Sequence, residues 1–451
     1  MDADDLDYRA RTRSGCVPPE LVARLLERGH AAVVGELAGG GEWFCAREWA
    51  RLLGERDRQA EALDVLAPYL ATGWWTATET AAGLLEDWGR AGEAIELTHA
   101  RMLLGHPHAL ESYTRLLARH GRAREAFDLL VPHVGDGSLA RALVDVAAVA
   151  DRDDEAAVLL EALIPADEHR CDSSWCCRGL DTYTATGLLT TVRERQGRVD
   201  EVVVLLRALG DTWIDARDEL ASLLARHGRI EELRAYAATE EFGRAAWRLA
   251  VWLEERGDVE GAVAVYRQAL DTTAARGHVA LHLARLLARY GRGEEAIEVV
   301  RALADAPGGA EDWIVDTLCT LYADQGRPQD ALDYLDDLKA RRGKEEWELS
   351  WIRLPLMAAC DRVDEAVEQA RAHPDGGTPY AAAHVARMLA DAGRTEEAVA
   401  VLEQHAPTHR HDLAGYLIDL GRIDDAVALL HQHVPPRPAQ RTGPWNDKPP
   451  F

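Results

Sequence analysis

Apolar residues recur along this chain at helical spacing in runs of ten to fifteen positions, and the runs are cut by short polar turns. The segment from Leu281 to Tyr290 is representative: one face apolar, the other Arg-rich and polar. A turn signature follows such runs, made of Gly, Arg, two variable residues, an acid and Ala. It reads Gly89-Arg90 with Glu93-Ala94, Gly121-Arg122 with Glu125-Ala126, and Gly291-Arg292 with Glu295-Ala296. Further copies are Gly326-Arg327 with Asp330-Ala331, Gly393-Arg394 with Glu397-Ala398, and Gly421-Arg422 with Asp425-Ala426. Degenerate copies begin at Gly29, Asp57, Asp151, Gly197, Gly228, Gly257 and Asp361, which makes 13 anchors spaced 28 to 35 residues apart with one gap of 46. A fixed period in that range is the mark of a repeat array.

Each part of the signature has a physical role. Gly ends the first helix where the backbone must enter a conformation that strains a side chain. The acid sits in the first turn of the second helix, where the helix dipole favours negative charge. Ala lets the two helices of a hairpin approach closely. The Arg after the anchor is expected to pair with the acid three residues later on the same turn.

These residues resemble the tetratricopeptide repeat family, in a degenerate form of the actinobacterial type. Ala246 to Asp271 carries the resemblance best, with Leu249, Ala250 and Leu253 on a first helix, Gly257 at the turn, and Ala262, Tyr266 and Ala269 on a second. The resemblance covers roughly residues 19–434. It implies an all-α fold, an α-solenoid of stacked antiparallel helix-turn-helix repeats forming a superhelix, whose first helices line a concave groove that binds a protein or peptide. Domain expectations follow: an N-terminal arm at 1–18, repeats at 19–164, a Cys-containing insert at 165–182, repeats at 183–434 and a disordered Pro-rich tail at 435–451.

Under that geometry, positions ten, six and two before an anchor face the groove. They hold Glu111, Arg115 and Arg119; Trp247, Val251 and Glu255; and Leu281, Arg285 and Arg289. Trp351 matches Trp247, while Trp313 and Tyr380 lie near the starts of their first helices. The candidate partner-binding residues are therefore Trp247, Arg285, Arg289, Trp313, Trp351, Arg115, Arg119 and Tyr380, since aromatic and Arg side chains anchor interfaces. The competing reading is that each Trp packs between repeats. The Lys and Asn of the family's carboxylate clamp are replaced here by Arg, Glu, Trp and Ala.

The long gap holds His169, Cys171, Asp172, Trp175, Cys176 and Cys177. Three readings stay open for it: packing of one Cys and Trp175, a redox-active thiol, or zinc, for which adjacent cysteines are poorly spaced. His405, His409, His411, His431 and His433 form a second cluster, read as solvated histidines.

Composition narrows the function. The formal net charge of −26 disfavours general binding of nucleic acid or anionic membrane. No run of 18 apolar residues occurs, and the start Met1-Asp2-Ala3-Asp4-Asp5 lacks a signal-peptide pattern, so a cytoplasmic setting is expected. No phosphate-binding loop, nucleophile elbow or HExxH motif is present. The expectation is a non-catalytic scaffold or adaptor with no cofactor and a protein or peptide partner. The alternatives are a ligand- or peptide-sensing solenoid acting through a partner chain, and a metal or thiol enzyme centred on Cys171–Cys177.

Overall fold

The computed structural model describes residues 2–164, 180–210, 214–272, 276–306, 311–343 and 347–432, and only the backbone of Ile214 and Trp347. The Cys171–Cys177 insert, His433 and the 435–451 tail lie outside the described residues. Among the described residues the chain is all helix and turn, an all-α repeat solenoid. A leading helix, Ala3–Thr12, is followed by 26 α-helices that pair as thirteen hairpins, with a single turn of 3₁₀ helix at Val131–His133.

Each hairpin turns at one of the thirteen anchors, because every one of those residues takes a positive φ. Ten are Gly, and Asp57, Asp151 and Asp361 occupy the same left-handed region at φ 58 to 59°. The cap is the same from repeat to repeat. At the third hairpin the Gly89 N–H donates to Glu86 O at 2.9 Å and the Arg90 N–H to Leu85 O at 2.8 Å, which satisfies two carbonyls the helix end leaves open.

The second helix then starts without a side-chain N-cap, at Arg90, Arg122, Arg292 and Arg394 alike. What holds this turn is the expected local ion pair: Arg90 donates to Glu93 at 2.7 Å, Arg122 to Glu125 at 2.7 to 2.8 Å, and Arg394 to Glu397 at 2.6 to 2.7 Å. These pairs are open to solvent, so each stabilises its turn by only about 0.3–0.5 kcal/mol. The same guanidinium also reaches the preceding hairpin, which sequence spacing did not reveal. Arg292 bonds Glu260, Arg327 bonds Glu294 and Arg394 bonds Asp364, at 2.7 to 2.8 Å. At the eighth hairpin, which lacks the Arg and the acid, the Asp258 carboxylate accepts from the Gly261 N–H at 2.9 Å instead.

The small residue of the signature lies at the hairpin crossing. Ala94, Ala126, Ala296, Ala331 and Ala398 are fully buried. Around them the apolar stripes of both helices close a core spread along the array, as expected where each repeat can bury its face only against its neighbours.

Packing divides the chain into two units, Met1–Val202 with His409–Phe451, and Val203–Thr408. The helix Thr182–Arg195 is tied to the fifth hairpin: Arg195 donates to Asp153 at 2.6 Å and to Val144 O at 2.9 Å, and Arg193 reaches Glu161.

In the first unit the last hairpin packs against the first. Asp419 accepts from Arg28 at 2.8 Å and pairs with Arg24 at 3.0 Å, and a side chain at Gly415 would collide with the Arg24 guanidinium. The buried Glu42 carboxylate accepts from the Val17 N–H at 3.0 Å, lies 3.0 Å from His431 Nε2 and also meets Arg9. The expected N-terminal arm contributes to this packing, with Leu6, Cys16 and Val17 buried. In the second unit the core runs through Leu224, Ala250, Tyr266, Leu286, Val315, Leu335 and Ala386.

Candidate functional site

Exposed large apolar side chains lie on both helices of the hairpins, Leu103, Val158 and Val204 on second helices, but the exposed aromatics Trp313 and Tyr380 lie on first helices. In the second unit, Trp247 on Arg244–Glu254 is half-buried and stacks on His282 of Arg276–Arg289, with ring centroids 5.7 Å apart and an interplanar angle of 28°. The Arg248 guanidinium also lies 4.3 Å from the Trp247 ring. One turn earlier, His278 meets Trp313 of Asp312–Asp324 at 5.4 Å, and Gly277 leaves the room that Trp313 occupies. Trp313 is exposed and donates its indole N–H to Glu311 at 2.6 Å.

A second aromatic cluster, edge-on where the first is stacked, lies between Trp347–Ala359 and Pro379–Asp391. The His384 ring stands edge-on against Trp351, and Tyr380 lies 4.6 Å from His384 and 5.9 Å from Trp351. Tyr380 is the most exposed of the three rings, with 59% of its surface open. A pocket of about 460 Å³ opens beside this cluster, floored by Pro355, Ala358 and Met388 and rimmed by Asp316, Arg387 and Asp391.

Burial, and next the nearby Arg387 charge, push the His384 imidazole down to about 3. Burial lowers His282 in the same direction, helped by Arg285. Both rings are therefore neutral near pH 7, where an imidazole packed against an aromatic ring needs no counter-ion. The consequence for stability has a definite sign. Below about pH 6.5 the unfolded chain binds a proton that folded His384 refuses, so stability is full above that pH and falls as pH drops toward 3. Replacing His384 with Gln is expected to remove up to one proton from the pH dependence of chemical unfolding between pH 6.5 and 5. An unchanged slope in that window, which lies above the carboxylate range, would contradict the assignment.

The arginines expected to face a partner fall into two groups. Arg289 is engaged by Glu254 of the preceding first helix through bonds of 2.7 to 3.2 Å. In the first unit Arg119 is engaged by Glu86 at 2.7 and 2.8 Å, and His120 Nε2 also lies 2.9 Å from Glu86. The Arg119 bonds and then the His120 contact hold the Glu86 carboxyl below the usual range. Arg115 pairs with Glu111 at 3.1 Å and Asp145 at 3.2 Å. Together with Trp75, which stacks on His106 at 4.9 Å, Glu86, Glu111, Arg115 and Arg119 border a cavity of about 520 Å³. Arg285, by contrast, is exposed and makes no ion pair among the described residues. The other arginines two places before an anchor are also matched, Arg195 by Asp153 and Arg226 by Glu219. Arg119, Arg289 and Arg195 are matched across helices and Arg226 along its own helix, so these four positions form no basic groove.

The eight candidate residues are thus not one site. Trp247, Arg285, Arg289 and Trp313 gather around Arg276–Arg289, Trp351 and Tyr380 form a second cluster, and Arg115 and Arg119 belong to the first unit. The histidines were missed by sequence reasoning, although a signal existed. Trp ten places before one anchor is followed by His nine places before the next, as Trp247 with His282 and Trp351 with His384.

Among the described residues no group of three or more His, Cys, Asp or Glu is placed to hold a metal ion. His409 lies beside Asp412 at 3.5 Å and His431 beside Glu42. Burial pushes the thiols of Cys45 and Cys319 up to about 12, which leaves them inert packing groups. No helix among the described residues is long and apolar enough to cross a membrane.

Residues 253–314 match the family model of the tetratricopeptide repeat. A search of curated proteins finds no match. Among solved structures, Naa15/Naa10 bound to HypK-THB aligns at 14% identity over 90% of this chain and 73% of that one, with a TM-score of 0.40. A thermophilic TPR protein of Thermus thermophilus aligns at 22% identity over 41% of this chain and 97% of its own, with a TM-score of 0.27. A pentatricopeptide repeat protein from maize aligns at 15% identity over 89% and 65%, with a TM-score of 0.34.

Proposed function

We propose that this chain, a TPR-like repeat protein, is a non-catalytic scaffold that holds a protein or peptide partner against its first helices. The observation that carries this reading is the exposure of Trp313 and Tyr380 on first helices whose other large apolar side chains are mostly covered. Exposed aromatics set among other rings are the usual anchors of protein recognition. Trp247 and Trp351 would supply the rigid walls behind them, and Arg285 a cation free to meet a partner. Arg115, Arg119 and Arg289 would act mainly by keeping neighbouring first helices in register. Among the described residues Cys16, Cys45, Cys319 and Cys360 form no disulfide, which supports a reducing, cytoplasmic setting.

A quantitative pull-down from lysate of the native host tests this. It compares wild type with a Trp313→Ala, Arg285→Glu, Tyr380→Ala variant whose helix content is first confirmed by circular dichroism. A discrete partner retained by wild type and reduced at least tenfold in the variant is the expected result. Equal recovery by both proteins would overturn the proposed face.

A further inference from the structure

Where Arg119 meets Glu86 and Arg289 meets Glu254, the pairing follows one register. The acid stands three residues before its anchor, and the arginine stands two residues before the next anchor. In the eleventh and twelfth hairpins those two positions hold Ala358 and Asp391. The rung is missing on one side and reversed in charge on the other. Both residues line the 460 Å³ pocket, so its rim carries an unmatched carboxylate where the cavity beside Glu86 and Arg119 carries a matched pair. Asp391 and Asp316 reach into this rim, and neither has a hydrogen-bond or ion-pair partner among the described residues. Arg387, one turn before Asp391, shares the rim without pairing to either. Trp351 and the neutral His384 form the wall above an apolar floor that includes Pro355 and Met388.

The last hairpin shows what an aspartate at this position takes. Asp419 also stands two residues before its anchor, Gly421, and it is satisfied by Arg24 and Arg28 of a helix packed against it. We propose that the pocket between Trp347–Ala359 and Pro379–Asp391 receives an arginine side chain of a partner protein. Its guanidinium is taken by Asp391 and Asp316, and its stem lies on Pro355, Ala358 and Met388 against Trp351. The chemistry suits this ligand: a planar cation stacks on an aromatic wall and donates to two carboxylates, and its methylene stem covers apolar surface. The net charge of −26 also favours a basic partner. Apolar surroundings already push the Asp316 carboxyl above its usual range even though part of it remains exposed, a cost that a bound cation relieves.

This inference rests on the scaffold reading but is tested separately from it. The chain has four methionines, and Met388 is the one in the pocket, so methyl-labelled Met reports occupancy directly by NMR. The full chain is titrated with N-acetyl-arginine amide, and in parallel with the uncharged N-acetyl-citrulline amide. The expected result is a saturable shift of the Met388 methyl with the arginine probe, no shift of Met102, and binding at least tenfold weaker with citrulline. Asp316→Asn/Asp391→Asn is expected to weaken arginine binding at least tenfold. A second variant, Ala358→Glu/Asp391→Arg, introduces the pair seen at Glu86–Arg119 and Glu254–Arg289 and should abolish arginine binding, because it replaces a pocket carboxylate with a cation, while keeping the fold. An unmoved Met388 in wild type, equal binding of citrulline, or full binding by the second variant would each overturn the proposal. If the arginine probe fails while the pull-down partner is still lost from the Trp313/Arg285/Tyr380 variant, only this inference falls. If it binds and no partner is captured, only the scaffold reading falls.

Discussion

Phe127→Ala is expected to destabilise the first unit by about 4 kcal/mol, measured by urea unfolding followed by circular dichroism. The ring has no exposed surface and lies on Ala123–Leu130 beside Ala126, the small residue of its hairpin crossing. Its removal leaves a cavity that the stiff helices on either side cannot close. Part of the loss is electrostatic, because the Arg152 guanidinium lies 4.3 Å from the ring centroid while it binds Asp128 and Glu155. That contact contributes roughly 0.5–1 kcal/mol and has no substitute once the ring is gone. Because each repeat is stabilised by its neighbours, hydrogen exchange should rise first in Ala109–Arg119 and Gly137–Ala150. A loss below about 1.5 kcal/mol would mean that the site collapses freely and that the core is not packed as described.

Asp419→Lys is expected to release the last hairpin from the first. Asp419 keeps only 16% of its side chain exposed and accepts both Arg24 and Arg28, so a lysine there would set three cations together in a partly dry contact. Losing charge-assisted hydrogen bonds of this kind costs about 2 kcal/mol or more before the added repulsion. Exchange protection should drop at least tenfold in Pro19–Glu27 and in Ile423–His431, with the middle hairpins of the unit unchanged. The reversed set, Arg24→Asp and Arg28→Asp with Asp419→Arg, should recover much of it. Unaltered protection in Asp419→Lys would show that apolar contact around Leu21 and Gly415 holds the two hairpins without the ion pairs. The physical interest of the contact is that terminal repeats of an array need a cover for their outer faces. In this unit the two terminal hairpins cover each other.

The turn positions were legible because they depend on local chemistry. Gly at a left-handed residue, an acid in a first turn and Ala at a crossing are each required by the few residues around them. Even Asp57, Asp151 and Asp361 could be placed by period alone, and all three take the left-handed backbone that Asp tolerates better than most side chains. The candidate site was legible only in outline. Trp313 and Tyr380 are exposed as a partner-facing role requires, yet Leu281, in the same register as Trp247 and Trp351, is buried. Register identifies a face of a helix, while exposure depends on the size of what the next repeat lays against it.

By itself, then, the sequence determined the repeat unit of this protein: thirteen hairpins, their turns, their caps and the local Arg–acid pairs, because each is decided within about six residues of chain. Only the tertiary structure decided which side chains meet across repeats. Glu86 answers Arg119 from 33 positions away, His282 lies on Trp247, Asp419 finds Arg24 and Arg28 near the other end of the chain, and Asp391 is left without a partner among the described residues. Those meetings depend on the stagger and separation of stacked helices. That stagger is set by the summed packing of many small side chains, which no single motif encodes.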